Sequence, residues 1–449
     1  MNLTIAEILD ATGGKLIQGD AETTITQVGT DSRTVERGTL FVALVGEKFD
    51  GHDFLDEVCQ KSCIGAVISK QTVAVGANLP VIIKVEDTLI ALGDIANHHR
   101  QKFNLPIVAI TGSNGKTTTK NMTASVLSQQ FSVFQSEKSY NNQIGIPLRL
   151  LQLTEAPEVA VLEIGTSWPG EIERLSQITM PTVGVITNIG ASHLELLGSV
   201  EGVAIEKGAL LDHVEYAILN ADDTMTPVLA QRACGQVIQF SAQTESDVFA
   251  CDIEVDAFGR SAFTLQINEQ RERVHLPCLG EHNISNALAA ACVGIWAGLP
   301  IAKICEGLEQ YALPAMRMEP IEHDGLFIIN DAYNSNPNSL KSALECLGNL
   351  EPDGKRIAIL GDMLELGEHS RTLHRRAAED IPANIQLLIT VGPHSLEIAR
   401  GAEGRVESIV SCESPKAAAQ KLRQYTQSGD AVLIKGSRGM KLEEILEEL

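Results

Sequence analysis

The sequence predicts an α/β protein of three domains, on three observations. Apolar, strand-like runs alternate with helix-prone stretches along most of the chain, the pattern of parallel sheets covered by helices on both faces. One of these runs, residues 107–110, leads into a glycine-rich turn that opens a helix. The 449 residues, at roughly 150 per domain, correspond to about three domains.

The first block, residues 1–85, is a small α/β domain. It sets a short helix at 5–12 among strand-like runs at 39–45, 65–69 and 80–85. Its polar, glycine-containing loops lie at Asp31-Ser32-Arg33 and Asp50-Gly51-His52-Asp53. The second block, residues 86–315, begins with a helical pattern at 88–103. The apolar strand 107–110 follows, then the turn, and then a helix through Leu127. Buried-looking strands come next at 159–162, 183–186 and 216–219, which describes a parallel sheet around a phosphate-loop turn. Residues 248–276 instead alternate apolar and polar side chains, as an antiparallel excursion does. The third block, residues 316–449, repeats the α/β rhythm with strands at 326–330, 356–360, 387–391, 408–410 and 431–434, and reads as Rossmann-like.

Composition excludes several classes. Subtracting 58 acidic from 35 basic residues leaves a net charge of −23, which repels nucleic acid and anionic membranes. An apolar fraction of 44% supports a packed core rather than disorder. The nine cysteines are scattered and form no C-x-x-C pair, as expected of free thiols in a reducing compartment. Glu7 and Asp10 precede the first base, Lys15, which is the wrong order for a secretory signal. The longest apolar run, 287–302, contains Gly294, Gly298 and Pro300 and falls short of the ~20 residues of a membrane span. The expectation is a cytoplasmic protein, monomeric by default, with no nucleic-acid partner and no membrane insertion.

The sharpest local signal is Thr111-Gly112-Ser113-Asn114-Gly115-Lys116-Thr117-Thr118 after the strand. Free N–H groups at a helix start and the helix dipole favour phosphate. Glycines let the backbone approach it closely. Lys116 supplies charge for the outer phosphates, and the Thr117 hydroxyl is placed to ligate Mg²⁺. A common phosphate loop would have glycine at position 110, where this chain has Ile110. Metal ligands for ATP belong at the ends of neighbouring strands. Glu163 closes one such run and His193 follows another. Taken singly, a capped or solvated carboxylate and an ordinary loop histidine are the more frequent readings of these residues.

These residues, in this order, resemble the Mur ligase family, ATP-dependent enzymes that form amide bonds in peptidoglycan synthesis. The shortened loop T-G-x-x-G-K-T is that family's usual form. The resemblance runs through Ser139-Tyr140-Asn141-Asn142, a polar turn beside the phosphates, and assigns Asn142 to ATP. It gives Glu163 and His193 to Mg²⁺, and makes Lys207 of Glu206-Lys207-Gly208 a lysine that takes up CO₂ and binds metal as a carbamate. It gives His282, Asn283 and Asn286 to the adenine side of ATP, and Arg317 and Asp331 to its phosphate or ribose. Lys116, His193 and Lys207 are the catalytic residues it implies.

The N-terminal motifs resemble the UDP-binding domain shared by the two members that add the third residue and the terminal dipeptide. Ser32, Arg33, Gly51, His52 and Asp53 are then the UDP-substrate contacts. Asp331-Ala-Tyr333-Asn334-Ser335-Asn336-Pro337, the run 360–367 and Lys435-Gly-Ser437-Arg438 resemble the dipeptide-adding member, with Ser335 where alanine is usual. Tyr333 and Asn336 are assigned to ATP; Asn334, Lys435, Ser437 and Arg438 are assigned to substrate. The implied substrates are ATP, UDP-N-acetylmuramoyl-tripeptide and D-alanyl-D-alanine, joined through an acyl phosphate. The alternatives are the ligase that adds the third, diamino residue and, in another class, a nucleotide switch without ligase activity. No asparagine is followed by lysine, so the guanine-reading N-K-x-D of GTPase switches is missing. Because three blocks would grip three ligands, domain closure is expected to assemble the site.

Overall fold

The computed structural model describes residues 1–46, 48–70, 79–136 and 140–449. The chain forms two compact units. One comprises 1–109, 131–166 and 170–182; the other comprises 110–130, 167–169 and 183–449.

In the first unit, a five-stranded sheet has the order Lys15–Gln18, Val81–Lys84, Gly65–Ile68, Thr39–Val42, Gln27–Gly29. All pairs are parallel except at the Lys15–Gln18 edge. Thr39–Val42 and Gly65–Ile68 are buried at every position, as strands covered on both faces must be. The predicted runs at 39–45, 65–69 and 80–85 contain these strands, which stop at Val42, Ile68 and Lys84, short of the runs' ends. Helix Ile5–Thr12 starts on a capping box between Thr4 and Glu7 and stops at Gly13 in the left-handed region. The short strands Lys15–Gln18 and Gln27–Gly29 lie outside the expected runs; the first is largely exposed, and the second is three residues with only Val28 buried, too short for a readable period.

The same unit contains the parallel pair Val159–Glu163 and Val133–Gln135. Helix Thr88–Arg100 ends in a buried arginine. Arg100 donates from Nε to Thr179 O (3.0 Å), from Nη1 to Phe103 O (2.7 Å) and from Nη2 to Leu105 O (2.9 Å). One guanidinium thus satisfies carbonyls at two helix ends and at the approach to strand Ile107–Thr111.

The second unit contains two sheets. In one, Val183–Ile186, Tyr216–Asn220, Gln236–Ser241 and the start of Val248–Val255 run parallel. Arg260–Ile267 and Gln270–Leu279 then extend the sheet antiparallel, as the alternation over 248–276 predicts. Thr187 N donates to Thr111 O (3.0 Å), so the end of the phosphate-loop strand lies beside the end of Val183–Ile186. The other sheet has the order Glu319–His323, Leu326–Asp331, Ala431–Lys435, Arg356–Gly361, Leu387–Val391, Ser408–Cys412. It is parallel except for its first edge strand. Separate apolar clusters cover its two faces, giving the Rossmann-like layering expected of the third block. The apolar run 287–302 is mostly the buried helix His282–Trp296. Among the described residues no helix is long and apolar enough to cross a membrane. All nine cysteines are free thiols.

Replacing Arg100 by methionine keeps most of the side-chain volume but strands three carbonyls. Stability should fall by about 2 kcal/mol or more, read as a lower urea midpoint with an unchanged denaturant slope.

Candidate functional site

The phosphate loop takes its shape from two positive-φ glycines. Gly112 has φ 147° and Gly115 has φ 78°, and helix Lys116–Leu127 starts directly after the second. A Cβ at 112 would collide with Thr187 Oγ1, and one at 115 with Asn286 Oδ1. The room left by the missing side chains is filled by groups that hold the loop. Ser113 N donates to Asn188 O (2.9 Å), and Asn114 N to Asn188 Oδ1 (2.9 Å). Thr187 Oγ1 donates to Asn114 O (2.5 Å). The Ser113 hydroxyl donates to Gly190 O (3.0 Å) and accepts from Gly190 N (2.8 Å). Lys116 folds back over the loop, its Nζ donating to Gly112 O (2.8 Å) and Ser113 O (3.3 Å). Thr117 is buried on the first turn and Thr118 follows it half-buried.

Behind the loop helix is a closed amide network. Thr119 Oγ1 donates to Asn286 Oδ1 (3.1 Å), Asn286 Nδ2 to Asn283 Oδ1 (2.7 Å), and Asn283 Nδ2 to Leu279 O (2.7 Å). Asn283 and Asn286 therefore set the position of the loop from behind. His282 is half-buried at the helix start, with its pKa lowered by burial.

Lys207 lies on helix Val200–Gly208 and is only 1% exposed. Burial pushes its ammonium well below the ordinary lysine value, and the nearby Lys116 charge pushes the same way. This favours a neutral amine, the form that can add CO₂. His193 sits at φ 52° and its Nδ1 is 2.8 Å from Glu365 Oε2. That bond holds the Glu365 carboxyl below its usual range, and the Lys116 charge adds to the effect.

Glu365 lies in the run 360–367, which by itself gives it no role, and its loop is firmly anchored. Met363 N donates to His374 Nε2 (2.9 Å), and Leu364 N to Ser437 Oγ (2.9 Å). Ser395 N donates to Asp362 Oδ1 (2.7 Å), and Ser437 N to Asp362 O (3.1 Å). His374 is fully buried, and its Nδ1 faces Ser370 O at 2.7 Å.

The third block brings further expected residues together. Arg317 lies over the Tyr333 ring, 4.0 Å from its centroid. Asp331 accepts from Met318 N (3.2 Å) and from Lys435 Nζ (2.5 Å), and Lys435 also donates to Asn334 O (3.0 Å). Asn336 caps helix Pro337–Asn349 and donates to Asn114 Oδ1 (2.8 Å), tying this block to the phosphate loop.

Several residues expected to touch ligands are engaged within the protein. Lys435 and Ser437 are buried and hold Asp331 and the 362–365 loop, and Arg438 is ion-paired with Glu443. In the first unit, His52 Nδ1 lies 2.6 Å from Asp50, and its Nε2 accepts from Ser69 N (3.0 Å), so both ring nitrogens are occupied. Ser32 donates to Glu57 (3.1 Å), and Asp53 is exposed. Arg33 is exposed and forms a two-bond pair with Asp31, pulling that carboxyl down to about 2. A Cβ on Gly51 would strike the Ala43–Leu44 backbone, which explains glycine there. Asn142 Oδ1 accepts from Ile144 N and Gly145 N, making a turn. Its neighbour Asn141, not singled out from sequence, donates to buried Glu163 Oε1 (2.8 Å). Ser139 lies outside the described residues.

Among the described residues no three His, Cys, Asp or Glu side chains gather into a metal site of their own. Carboxylate, hydroxyl and carbamate oxygens suit Mg²⁺, which typically takes one or two protein carboxylates and completes its shell with phosphates and water. The hydroxyl of Thr117 and the carboxylate of Glu163 are oxygen donors of that chemical kind.

A glycine-shaped phosphate loop backed by an amide network marks a nucleotide-phosphate-binding protein. Comparison with known proteins gives the family. Residues 24–100 match the model of the Mur ligase family, catalytic domain; residues 110–294 match the Mur ligase middle domain; and residues 316–438 match the Mur ligase, glutamate ligase domain. The chain belongs to the Mur ligase family. It is 37% identical to the UDP-N-acetylmuramoyl-tripeptide–D-alanyl-D-alanine ligase of Bacillus subtilis, over 99% of this chain and 98% of that one. A crystal structure of MurF from Acinetobacter baumannii superposes with a TM-score of 0.92 at 30% identity, covering 100% of this chain and 99% of that one. The MurF ligase of Thermotoga maritima in complex with ADP superposes with a TM-score of 0.85 at 27% identity, covering 94% and 96%.

Two outcomes follow. Lys116→Ala should lower ATP-dependent phosphate release by roughly 100-fold or more, measured at saturating substrates. Burial lowers the pKa of His374, so its contribution to stability is complete above the unfolded value of about 6.5 and is lost as pH falls from there through the folded pKa. The urea midpoint of the wild type should therefore drop more between pH 7.5 and pH 5.5 than that of His374→Gln, with both pH values chosen to bracket about 6.5.

Proposed function

We infer that this protein is an ATP-dependent ligase that joins D-alanyl-D-alanine to UDP-N-acetylmuramoyl-tripeptide, giving ADP, phosphate and the UDP-linked pentapeptide. The observation that carries this reading is full-length similarity to ligases of that name, at 37% identity over 99% of the chain. The phosphate-loop geometry agrees with it. A carboxylate is a poor electrophile, and an amine meeting it forms a salt. Transfer of phosphate from ATP makes an acyl phosphate; the dipeptide amine then attacks its carbonyl carbon, and phosphate leaves as the amide forms. Both steps bring anions together, so positioning and charge neutralisation carry the catalysis.

In this reading the loop 112–118 holds the ATP phosphates, and Lys116 swings from its loop carbonyls to the transferring phosphate. Asn283 and Asn286 hold the loop in register, and His282 borders the adenine side. Arg317, steadied on Tyr333, meets phosphate or ribose together with Asp331. Thr117 and Glu163 would serve one Mg²⁺, and His193 and a carbamylated Lys207 would serve a second. Such ions, when bound, supply charge neutralisation for the phosphates. The N-terminal loops of Ser32–Arg33 and Gly51–Asp53 face the uridine diphosphate. The reaction belongs to the cytoplasm, where ATP and nucleotide-linked precursors are available.

Incubation with ATP, UDP-N-acetylmuramoyl-tripeptide and D-alanyl-D-alanine should release phosphate only when all three are present. Release with UDP-N-acetylmuramoyl-dipeptide plus a diamino acid instead would assign the protein to the preceding step. With ¹³C-bicarbonate, a carbamate carbon signal should appear in the wild type and vanish in Lys207→Met.

A further inference from the structure

Glu365 presents a physical conflict. It lies within reach of the Lys116 charge and 2.8 Å from His193 Nδ1, beside a loop shaped to gather phosphate. An extra carboxylate there repels the nucleotide and the acyl phosphate. It is also held at φ 63°, a left-handed conformation that side chains other than glycine rarely adopt. Its neighbours Met363 and Leu366 are buried, and Asp362, Met363 and Leu364 are anchored by His374, Ser395 and Ser437. The side chain of Glu365 is instead 62% exposed, and its Oε2 faces His193. A carboxylate on so fixed and open a mount is placed to meet a cationic ligand.

We propose that Glu365 receives the ammonium group of the incoming dipeptide, making it a substrate-binding residue for the second step. This rests on the ligase reading above. The amine must arrive beside the activated carbonyl, and in neutral water it arrives protonated. A carboxylate at the edge of the phosphate site offers an oxygen to that ammonium N–H and offsets the cation's loss of solvent. The competing role, orienting His193 toward a metal, would act on acyl-phosphate formation itself.

Hydroxylamine separates the two, because it is largely uncharged at neutral pH and intercepts acyl phosphates as hydroxamates. Glu365→Gln, which keeps the side-chain shape, and Glu365→Ala are compared with wild type in two assays at saturating ATP and UDP-tripeptide. One varies D-alanyl-D-alanine; the other replaces it by hydroxylamine. The expected result is a dipeptide KM raised at least tenfold in Glu365→Gln, with the ratio of hydroxamate rate to dipeptide rate rising by a similar factor. A parallel fall of both rates, or an unchanged dipeptide KM, overturns the proposal. Absence of dipeptide-dependent turnover in the wild type would instead overturn the ligase reading.

Discussion

The site depends on a steric bargain at the phosphate loop. Gly112 and Gly115 leave out side chains so that Thr187 and Asn286 can press against the backbone. Thr187, Asn188 and Gly190 then hold the loop from the neighbouring strand end, and Asn286 and Asn283 hold it from the helix behind. Two of the loop's own N–H groups, those of Ser113 and Asn114, donate to Asn188, and its carbonyls and side chains supply the rest of the anchoring. Asn336 reaches the same loop at Asn114, so the third block is aligned on the same reference point.

Electrostatics at the site follow a related rule. A protein of net charge −23 must bind anionic ligands. The structure supplies cations that are already engaged: Arg33 with Asp31, Lys435 with Asp331, Arg438 with Glu443, and Arg317 with the Tyr333 ring. Lys207 differs. Burial and the nearby Lys116 charge make its charged form costly, so this lysine is not one more engaged cation.

Much of this was legible in the sequence where a single period or motif dominates. Val183–Ile186 and Leu387–Val391 lie at the predicted residues because buried parallel strands are uniformly apolar. The turn at 112–118 was legible because glycine, lysine and threonine there have one joint chemical purpose. The division of labour among polar residues was not. Asn141 and Asn142 look alike in sequence, yet one steadies Glu163 and the other shapes a turn. Lys435 and His52 read as ligand contacts, but burial and internal partners engage them within the protein. Glu365 gained a role only when folding brought it to His193, 172 positions away by subtraction of the two residue numbers. Such pairings depend on tertiary placement, which local pattern does not encode.

The resting posture of Lys116 has a thermodynamic consequence. Its ammonium is solvated by the carbonyls of Gly112 and Ser113. Nucleotide capture is therefore an exchange of one set of partners for another. The measured affinity is the difference between two good states, so it is smaller than the strength of the lysine–phosphate contact alone. The same exchange runs backward when ADP departs, leaving no stripped charge behind. A ligase that must release its spent nucleotide every cycle gains turnover from a lysine that has somewhere to return to.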